Sequence, residues 1–577
     1  MTQSPAALET EPLEKGRGLR WAVLVAVLAA YGCLQLSGLG SPLFWQDEGE
    51  TAMFGQRVLE FGYPKVHSEG NVVYGIGVPL AEGVDADRDA YLGSFWGQYY
   101  FAALGVSMGE GAVDPYTRTA WVRLPFVFSG LLGLFLLWWS VQPGFAGRKG
   151  AGLESAIGFG ILLCLSISLM LHIREVRYYG PALALLAGGV ALHLRNGLVG
   201  NRIMPIRLAC ALVLLLVLFN FFFPAALALA AWWALESILL TTKNSSSIRS
   251  RLQSLWPLAC VLVFFLGIAF GLIQAFGMDK TSETLSTRWG FGIAGYLGNL
   301  GHLFYFLIRY EWLVPCLLIE GGLVWLKRSG PVRMGAEFQR PLDTRAALYR
   351  LCVIYIFVGA VNPIFFERYF TPLGPLLGLV LLLDFEAFRR GLVAVESERK
   401  RASMRGWAWV IAGLTFVGLI WVRSPELTGR VFEMRDPVRG PIDFAVAHIQ
   451  SRYPDTSALT IATNYEAEPL MFYLGSRVVG RFDGEATEPQ GAEAEIQPDL
   501  VIPRASQPRR LQEVRQYLFQ APFERYGLPV VDAPYNHIPE LYAGRVLPSV
   551  HSFKTQRPEE ASGPPLAIYE RKKVELK

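Results

Sequence analysis

The sequence predicts a polytopic α-helical membrane protein with an α/β domain at its C-terminal end, on the extracytoplasmic side. Hydrophobic residues make up 52% of the 577 residues and charged residues only 18%, and the mean hydropathy is +0.31. Charge-poor stretches long enough to cross a ~30 Å hydrocarbon core recur over residues 21–423. Beyond residue 423 the hydrophobic runs shorten and Pro, Asp and Glu become frequent, as in a soluble domain.

About eleven transmembrane helices are predicted from these stretches. They cover residues 21–40, 124–142, 155–173, 178–194, 204–220, 222–240, 255–277, 303–326, 348–366, 369–386 and 406–423. The first is interpreted as an anchor and not as a cleaved signal peptide, because it is long and lacks a small-residue cleavage site. The charge-free run at 208–235 is too long for one crossing and has Lys and Arg on both sides, which predicts a hairpin turning near 220–224.

The distribution of Lys and Arg predicts the orientation of the chain. Both residue types are concentrated before the first span and in every second loop after it, which places the N-terminus inside and the C-terminus outside. The predicted divisions are a cytoplasmic tail at 1–20, a transmembrane domain at 21–423 that includes a first extracytoplasmic loop at 41–122, and an extracytoplasmic α/β domain at 424–577.

The last division has the pattern of a small βαβ domain. Helical spacing is found at 442–451 and 468–474, and short apolar runs typical of strands at 458–463, 477–481 and 499–503. Strands that alternate with helices favour a sheet with parallel strands.

Two function classes are disfavoured by composition. The net charge of +4 is small and is not interleaved with aromatic residues in basic patches, so nucleic acid is not an expected partner. No disulfide framework is expected, because all six cysteines fall inside predicted spans. They are Cys33, Cys164, Cys210, Cys260, Cys316 and Cys352.

Asp47 and Glu48 follow the first span directly, where the chain emerges outside. One carboxylate can deprotonate an acceptor hydroxyl, and the second can orient the acceptor or a metal. We therefore predict a catalytic pair here. An acidic pair that is merely solvated is the alternative. No cofactor is implied with certainty, and a divalent cation stays open.

Basic and aromatic residues at the predicted outer ends of spans are the candidate site for an anionic group. Cations outside run against the positive-inside bias, and a donor phosphate would explain them. Structural pairs, of Arg177 with Glu175 or of Arg368 with Glu367, are the alternative. The candidate phosphate-binding residues are Arg174, Arg177, Tyr178, Arg368 and Tyr369.

Glu320 lies in the middle of the eighth predicted span, where an unpaired charge costs at least ~2.5 kcal/mol. A paired structural role is favoured over a proton or ion site, because no other ionisable group is predicted at that depth. His67, His172 and His302 lack metal-ligand spacing, so hydrogen-bonded or solvated roles are favoured over a metal site with Glu48.

At these residues the chain resembles a known family. Residues 41–48 (SPLFWQDE), followed by Ala52 and residues 57–62, look like the first-loop signature of the GT-C membrane glycosyltransferases. The branch is that of the protein O-mannosyltransferases and lipid A aminoarabinose transferases, similar to glycosyltransferase family 39. Residues 123–133 (RLPFVFSGLLG) resemble its second span. Its later motifs are matched by residues 174–178 and by Arg368 and Tyr369 with Pro372 and Pro375.

The resemblance covers roughly residues 20–390 and implies a function. It implies an inverting transfer of a sugar from a polyprenyl-phosphate donor to a hydroxyl acceptor, with Asp47 as general base and Glu48 as its partner. It also implies a bacterial inner (plasma) membrane enzyme whose site faces outward. The acceptor is a glycolipid, a glycan or a protein. The chain departs from the family at 95–100, where a proline pair or histidine is common, and in the long insertion at 66–88.

Two other functions compete with this hypothesis. A transporter or flippase of lipid-linked saccharides predicts inverted repeats and several polar groups in mid-membrane, which the sequence does not display. A scaffold whose outer domain binds a partner leaves the acidic pair and the outer arginines unexplained.

The first testable prediction concerns topology. A reporter fused after Arg423 should read as extracytoplasmic and one fused near Ser246 as cytoplasmic, because Lys and Arg mark the inner loops. Compartment-specific phosphatase and fluorescence reporters measure this. A cytoplasmic signal at the C-terminus would mean that the spans are miscounted, most plainly at the 204–240 hairpin.

Overall fold

The protein is described by a computed structural model. It describes residues 12–68, 83–85, 87–145, 150–198, 205–244, 247–288, 291–328, 336–363, 365–393, 398–482, 497–505, 511–520, 522–532, 540–541 and 550–572. Helices dominate up to residue 452, and a five-stranded sheet follows.

The helical part consists of the following elements. In chain order they are α1 (Pro12–Leu36), α2 (Gln46–Phe61), β1 (Val84–Asp85), β2 (Ala90–Tyr91), α3 (Gly97–Met108), α4 (Pro115–Val141), α5 (Ala151–Leu165), α6 (Ile167–His172), α7 (Tyr179–Ala191), α8 (Pro205–Asn244), α9 (Ile248–Ala275), α10 (Met278–Arg288), α11 (Ile293–Arg309), α12 (Leu313–Arg328), α13 (Ala336–Gly359), α14 (Leu373–Val393) and α15 (Glu398–Arg435).

Four helices among the described residues are long and apolar enough to cross a membrane, and a fifth candidate is a bent pair. The four are Gly18–Leu36, Pro115–Phe145, Pro205–Lys243 and Ile248–Ala275. The bent pair is α11 with α12, at 79°. By length and composition the membrane character is confirmed, while the number of eleven spans stays a prediction.

The predicted span at 303–326 is not one continuous helix, because the chain bends between α11 and α12. Glu311 lies at the bend and is fully buried. Ser166 donates to its carboxylate at 3.3 Å, and Arg423 donates to its backbone oxygen at 2.7 Å. These contacts hold a polar residue at a place where a continuous apolar helix was expected.

The predicted hairpin at 204–240 is present in α8. Leu214 and Leu229 contact the adjacent residues Gly188 and Gly189 of α7. In a straight helix these two leucines would be roughly 22 Å apart. The chain therefore reverses between them, at Phe222, whose φ of −152° and ψ of 92° are not helical.

Glu320 is a paired residue, as expected. Arg345 of α13 donates to the Glu320 carboxylate, and the same guanidinium lies 2.7 Å from Asp384 of α14. The expectation that no other ionisable group lies beside Glu320 was wrong. Because α13 begins at Ala336 and not at residue 348, it brings Arg345 alongside the two neighbouring helices.

The segment predicted as the first extracytoplasmic loop contains two helices, α2 and α3, that the sequence analysis did not predict. They pack closely, because Gly55 of α2 leaves room for the backbone at Ala102 and Ala103. The Asp114 carboxylate caps α4 by accepting a 2.8 Å bond from the Thr117 amide.

The C-terminal sheet has the strand order β4-β3-β5-β7-β6. The elements are α16 (Pro441–Arg452), β3 (Thr460–Thr463), α17 (Ala467–Leu474), β4 (Arg477–Val479), β5 (Leu500–Ile502), α18 (Leu511–Gln520), β6 (Phe523–Val531) and β7 (Pro565–Arg571). All five predicted elements are present, and β3 pairs in parallel with β4 and β5, which confirms the βαβ unit. The antiparallel additions β6 and β7 were not predicted.

The C-terminal domain and the first loop share one hydrophobic core. Phe44 and Met53 from the loop belong to the same buried cluster as Phe472 and Tyr473 from α17. The Phe44 amide donates to Tyr473 Oη at 3.0 Å. The predicted boundary at 423/424 falls inside α15, so one helix leads from the bundle into the domain. The domain is therefore packed onto the loop that carries the acidic pair.

The second prediction concerns this packing. Gly49→Ala should lower the free energy of unfolding by about 1–3 kcal/mol, because a Cβ there would lie 2.4 Å from Pro469 Cγ. Thermal unfolding of the protein in detergent measures the loss. Gly527→Ala is the matched control, since no atom lies within 4 Å of its added Cβ. Equal melting temperatures for both variants would contradict the close packing of α2 on α17.

Candidate active site

Three segments converge at the end of the helical bundle that faces the C-terminal domain. They are the first turn of α2, the turns at 173–178 between α6 and α7, and the short 3-10 turn Glu367–Phe370 before α14. Asp47 and Glu48 lie in the first turn of α2. Negative side chains are stabilised there, because the backbone N–H groups of a first turn have no partners within the helix. Each segment contributes at least one charged residue to a shared cluster.

Asp47 lies between two arginines. Its Oδ2 atom is 3.0 Å from Arg368 Nη2 and 3.8 Å from Arg177 Nη2. The Asp47 side chain is 27% exposed, whereas that of Arg368 is 3% exposed. Asp47 is therefore the member of this cluster that a ligand can reach most readily.

Arg177 is fixed by α2. Its guanidinium donates to Thr51 Oγ1 at 3.1 Å and to the Asp47 backbone oxygen at 3.3 Å. It also lies 3.7 Å from Glu50 Oε1. These contacts hold the guanidinium against the helix face that carries Asp47.

Glu50 is a site residue that the sequence analysis missed. It is three residues after Asp47 and so shares its helix face. Burial raises the pKa of Glu50 to about 7, although Arg177 opposes the shift. Tyr99 Oη donates to its carboxylate at 3.3 Å. The spacing from Asp47 was the available signal.

Glu48 points elsewhere than Asp47, although both were predicted as a pair. Arg123 of α4 donates to its two oxygens at 2.9 and 2.6 Å, and the Val176 amide donates at 2.9 Å. Glu48 is only 2% exposed. Its carboxylate thus connects α2, α4 and the turns at 173–178.

Arg174 does not join Arg177. Residues three apart share a face only in a helix, and residues 173–178 form turns. Arg174 donates to the backbone oxygen of Gly38 at 2.5 Å and reaches that of Ser41 at 3.4 Å. It therefore holds the chain just after α1, where helix carbonyls need donors.

Tyr178 and Tyr369 form an aromatic surface beside the two arginines. Tyr178 stacks on Phe222 at the tip of the α8 hairpin, with centroids 4.8 Å apart and planes 9° apart. Tyr369 lies 5.6 Å from Phe222 and 6.4 Å from Tyr178. An apolar surface next to paired cations suits a ligand with an anionic head and a lipid chain.

The alternative structural pairs for the arginines are not the contacts found. Glu175 lies 2.5 Å from His172 Nδ1 and so pairs with that histidine. Glu367 accepts a bond from the backbone amide of Leu541. Both arginines instead face Asp47.

The expected hydrogen-bonded roles of His172 and His67 agree with the structure. His172 contacts Glu175, and His67 Nδ1 lies 2.6 Å from Asp89 Oδ1. In the part of the chain that is described, no group of three or more His, Cys, Asp or Glu is placed to hold a metal ion.

The C-terminal domain contributes two carboxylates that sequence reasoning missed. Glu540 Oε1 lies 3.1 Å from Arg368 Nη1. Glu468 accepts a 2.6 Å bond from Gln46 Nε2, next to Asp47. Both glutamates are far along the chain from their partners, Glu468 by 422 residues, so no local pattern pointed to them.

Two solved structures resemble this one in overall architecture. ArnT from Cupriavidus metallidurans, crystallised with undecaprenyl phosphate, matches at 14% identity and a TM-score of 0.49, over 95% of this chain and 98% of that chain. The oligosaccharyltransferase of Archaeoglobus fulgidus, in a complex with Zn and sulfate, matches at 11% identity and a TM-score of 0.43, over 83% and 68%. No protein-family model and no curated protein matches the chain.

The third prediction concerns Glu48. Glu48→Gln should lower the free energy of unfolding by about 3–5 kcal/mol, because it leaves the Arg123 charge buried without a counterion. Chemical or thermal unfolding in detergent measures it. Glu60→Gln, an exposed position on the same helix, should change stability little. A stable Glu48→Gln protein that has lost activity would instead assign Glu48 to the chemistry.

Proposed function

We propose that the protein is a glycosyltransferase that moves a sugar from a polyprenyl-phosphate donor to a hydroxyl acceptor with inversion. Asp47 is the general base. Arg177 and Arg368 hold the donor phosphate, and Tyr178 and Tyr369 border the lipid. The donor, the acceptor and the lipid bilayer are the partners, and the reaction takes place on the extracytoplasmic face of a bacterial inner membrane.

One observation carries this proposal. A partly exposed carboxylate lies within 4 Å of two arginines at the end of an apolar helical bundle. Arginine pairs recognise phosphate through charge-assisted hydrogen bonds. A base and a phosphate-binding pair in the same place are what transfer from a sugar phosphate requires.

The chemistry needs few groups. The acceptor oxygen attacks the anomeric carbon on the face opposite the phosphate, and its proton passes to the Asp47 carboxylate. The bond from the anomeric carbon to the phosphate oxygen breaks, and the electron pair leaves with the polyprenyl phosphate. The two guanidinium groups stabilise the charge on the departing phosphate, so no general acid is required.

The aromatic surface orients the lipid chain of the donor relative to its phosphate. Tyr178, Tyr369 and Phe222 lie where the bundle meets the arginines, so a polyprenyl chain can leave the site along apolar helices while its phosphate stays at the charged end. This arrangement supports a lipid-linked donor over a soluble nucleotide sugar.

Glu48 and Arg174 receive positioning roles in this proposal. Glu48 is saturated by Arg123 and the Val176 amide, and Arg174 by carbonyls after α1. Neither presents a free atom toward Asp47. We therefore assign them to holding the loop and the turns at 173–178, and not to acceptor or phosphate binding.

A flippase of lipid-linked saccharides is the rival function. Its transport path would need polar groups through the depth of the bundle. Glu320, Arg345 and Asp384 are such groups, yet they pair with one another, both carboxylates contacting the one guanidinium. A base adjacent to phosphate-binding arginines has no purpose in a flippase, and this favours the transferase.

The fourth prediction concerns Asp47. Asp47→Asn keeps the size of the side chain but cannot accept a proton, so sugar transfer by purified protein in lipid should fall by ~10²-fold or more while donor binding is largely retained. Asp87→Asn, an exposed loop position, is the control and should keep full activity. Transfer is measured with a labelled polyprenyl-phosphate sugar.

Two other outcomes would contradict the proposed role of Asp47 or the proposed function. Near-normal transfer by the Asp47→Asn enzyme would rule out Asp47 as the base and move the search to Glu50. Movement of donor across the membrane without any transfer to acceptor would favour the flippase.

A further inference from the structure

Arg368 is held from two sides. Nη2 lies 3.0 Å from Asp47 in the first loop, and Nη1 lies 3.1 Å from Glu540 in the C-terminal domain. The guanidinium also lies 4.9 Å from the ring of Trp45 and 4.3 Å from that of Phe366. Both ends of the guanidinium fork therefore have a carboxylate.

The segment that carries Glu540 is itself fixed. The Leu541 amide donates to Glu367, and Tyr310 Oη donates to the Leu541 oxygen at 3.2 Å. The His551 amide donates to the backbone oxygen of Glu540 at 2.6 Å. Leu541 is buried in the main core of the helical bundle. Glu540 is thus a fixed counterion, in a position set by the bundle as well as by the domain.

The Arg368 charge has two uses in the proposed reaction, and they compete. It faces Asp47 in the structure, and it must face the donor phosphate during transfer. If Asp47 were its one carboxylate partner, the guanidinium would be drawn toward the base and away from the phosphate. A second carboxylate on the opposite side balances that pull.

We propose that Glu540 is a positioning residue that holds Arg368 where it can bind the donor phosphate. In this proposal, the C-terminal domain contributes a residue that completes the donor-phosphate site. This inference rests on the proposed transferase function. Glu540 does not contact the substrate, and its effect on donor binding is exerted through Arg368 alone.

The groups around Glu540 support a specific role over general stability. Besides Arg368, the charged or titratable groups that act on it electrostatically include His172, Glu175, Asp47 and Glu367. Four carboxylates, counting Glu540 itself, thus share the neighbourhood of one arginine. Glu540 is 4% exposed in its side chain, so solvent screens this contact little.

The test compares Glu540→Gln and Glu540→Asp with the unmodified full-length protein in lipid. Glu540→Gln removes the charge, and it should raise the donor KM about 5–10-fold while the acceptor KM stays unchanged. Glu540→Asp keeps the charge and should recover most donor affinity. Glu570→Gln, on the surface of the same domain, is the control for domain stability.

A double-mutant cycle separates positioning from structure. In an Arg368→Ala background, Glu540→Gln should have no further effect on the donor KM, because the residue through which it acts is gone. An additive effect would overturn the proposal, and so would an unchanged donor KM in the folded Glu540→Gln protein.

Binding of the polyprenyl phosphate alone, measured by thermal shift, gives a readout that needs no turnover. Weaker binding to the folded Glu540→Gln protein than to the Glu570→Gln control supports the proposal, and equal binding overturns it. Sugar transfer by the unmodified protein tests the proposed function by itself. If that protein binds the lipid phosphate but transfers no sugar, the transferase proposal fails while the Glu540 contact is still judged by binding.

Discussion

The buried ion pair between Glu48 and Arg123 organises the head of the bundle. One carboxylate takes two bonds from α4 and one from the Val176 amide. Asp47 and Arg177 are each one residue away from these anchored positions. Removing both charges from water is unfavourable, and their mutual attraction offsets this only when the hydrogen-bond geometry is good. Here that geometry fixes two segments from distant parts of the chain, and the candidate site lies between them.

Much of the architecture follows from local pattern. Apolar runs predicted the long helices, the charges on both sides of α8 predicted its reversal, and short periodic segments predicted all five early elements of the C-terminal domain. Sequence motifs also selected Asp47, Arg177 and Arg368, which the fold brings together, although their roles remain proposals. These signals work because hydrophobic periodicity and membrane charge bias act over a few residues.

Other features depend on contacts that no local window contains. Adjacent residues in a helix differ by about 100° in direction, so Asp47 faces the arginines while Glu48 faces α4. Glu540 and Glu468 reach the site through domain packing, from positions far along the chain from their partners. At the bend between α11 and α12, the partners of Glu311 are Ser166, between α5 and α6, and Arg423 of α15.

The continuous helix α15 constrains how large molecules approach the protein. Its 38 residues span roughly 57 Å, nearly twice the thickness of the hydrocarbon layer. The domain that it carries is also packed against α2 through Gly49 and Pro469. With two separate attachments, the domain has no single pivot about which to swing away from the bilayer. In the proposed function, the acceptor would therefore have to enter from the side, parallel to the membrane plane, which suits molecules that are slender or that are themselves embedded in lipid.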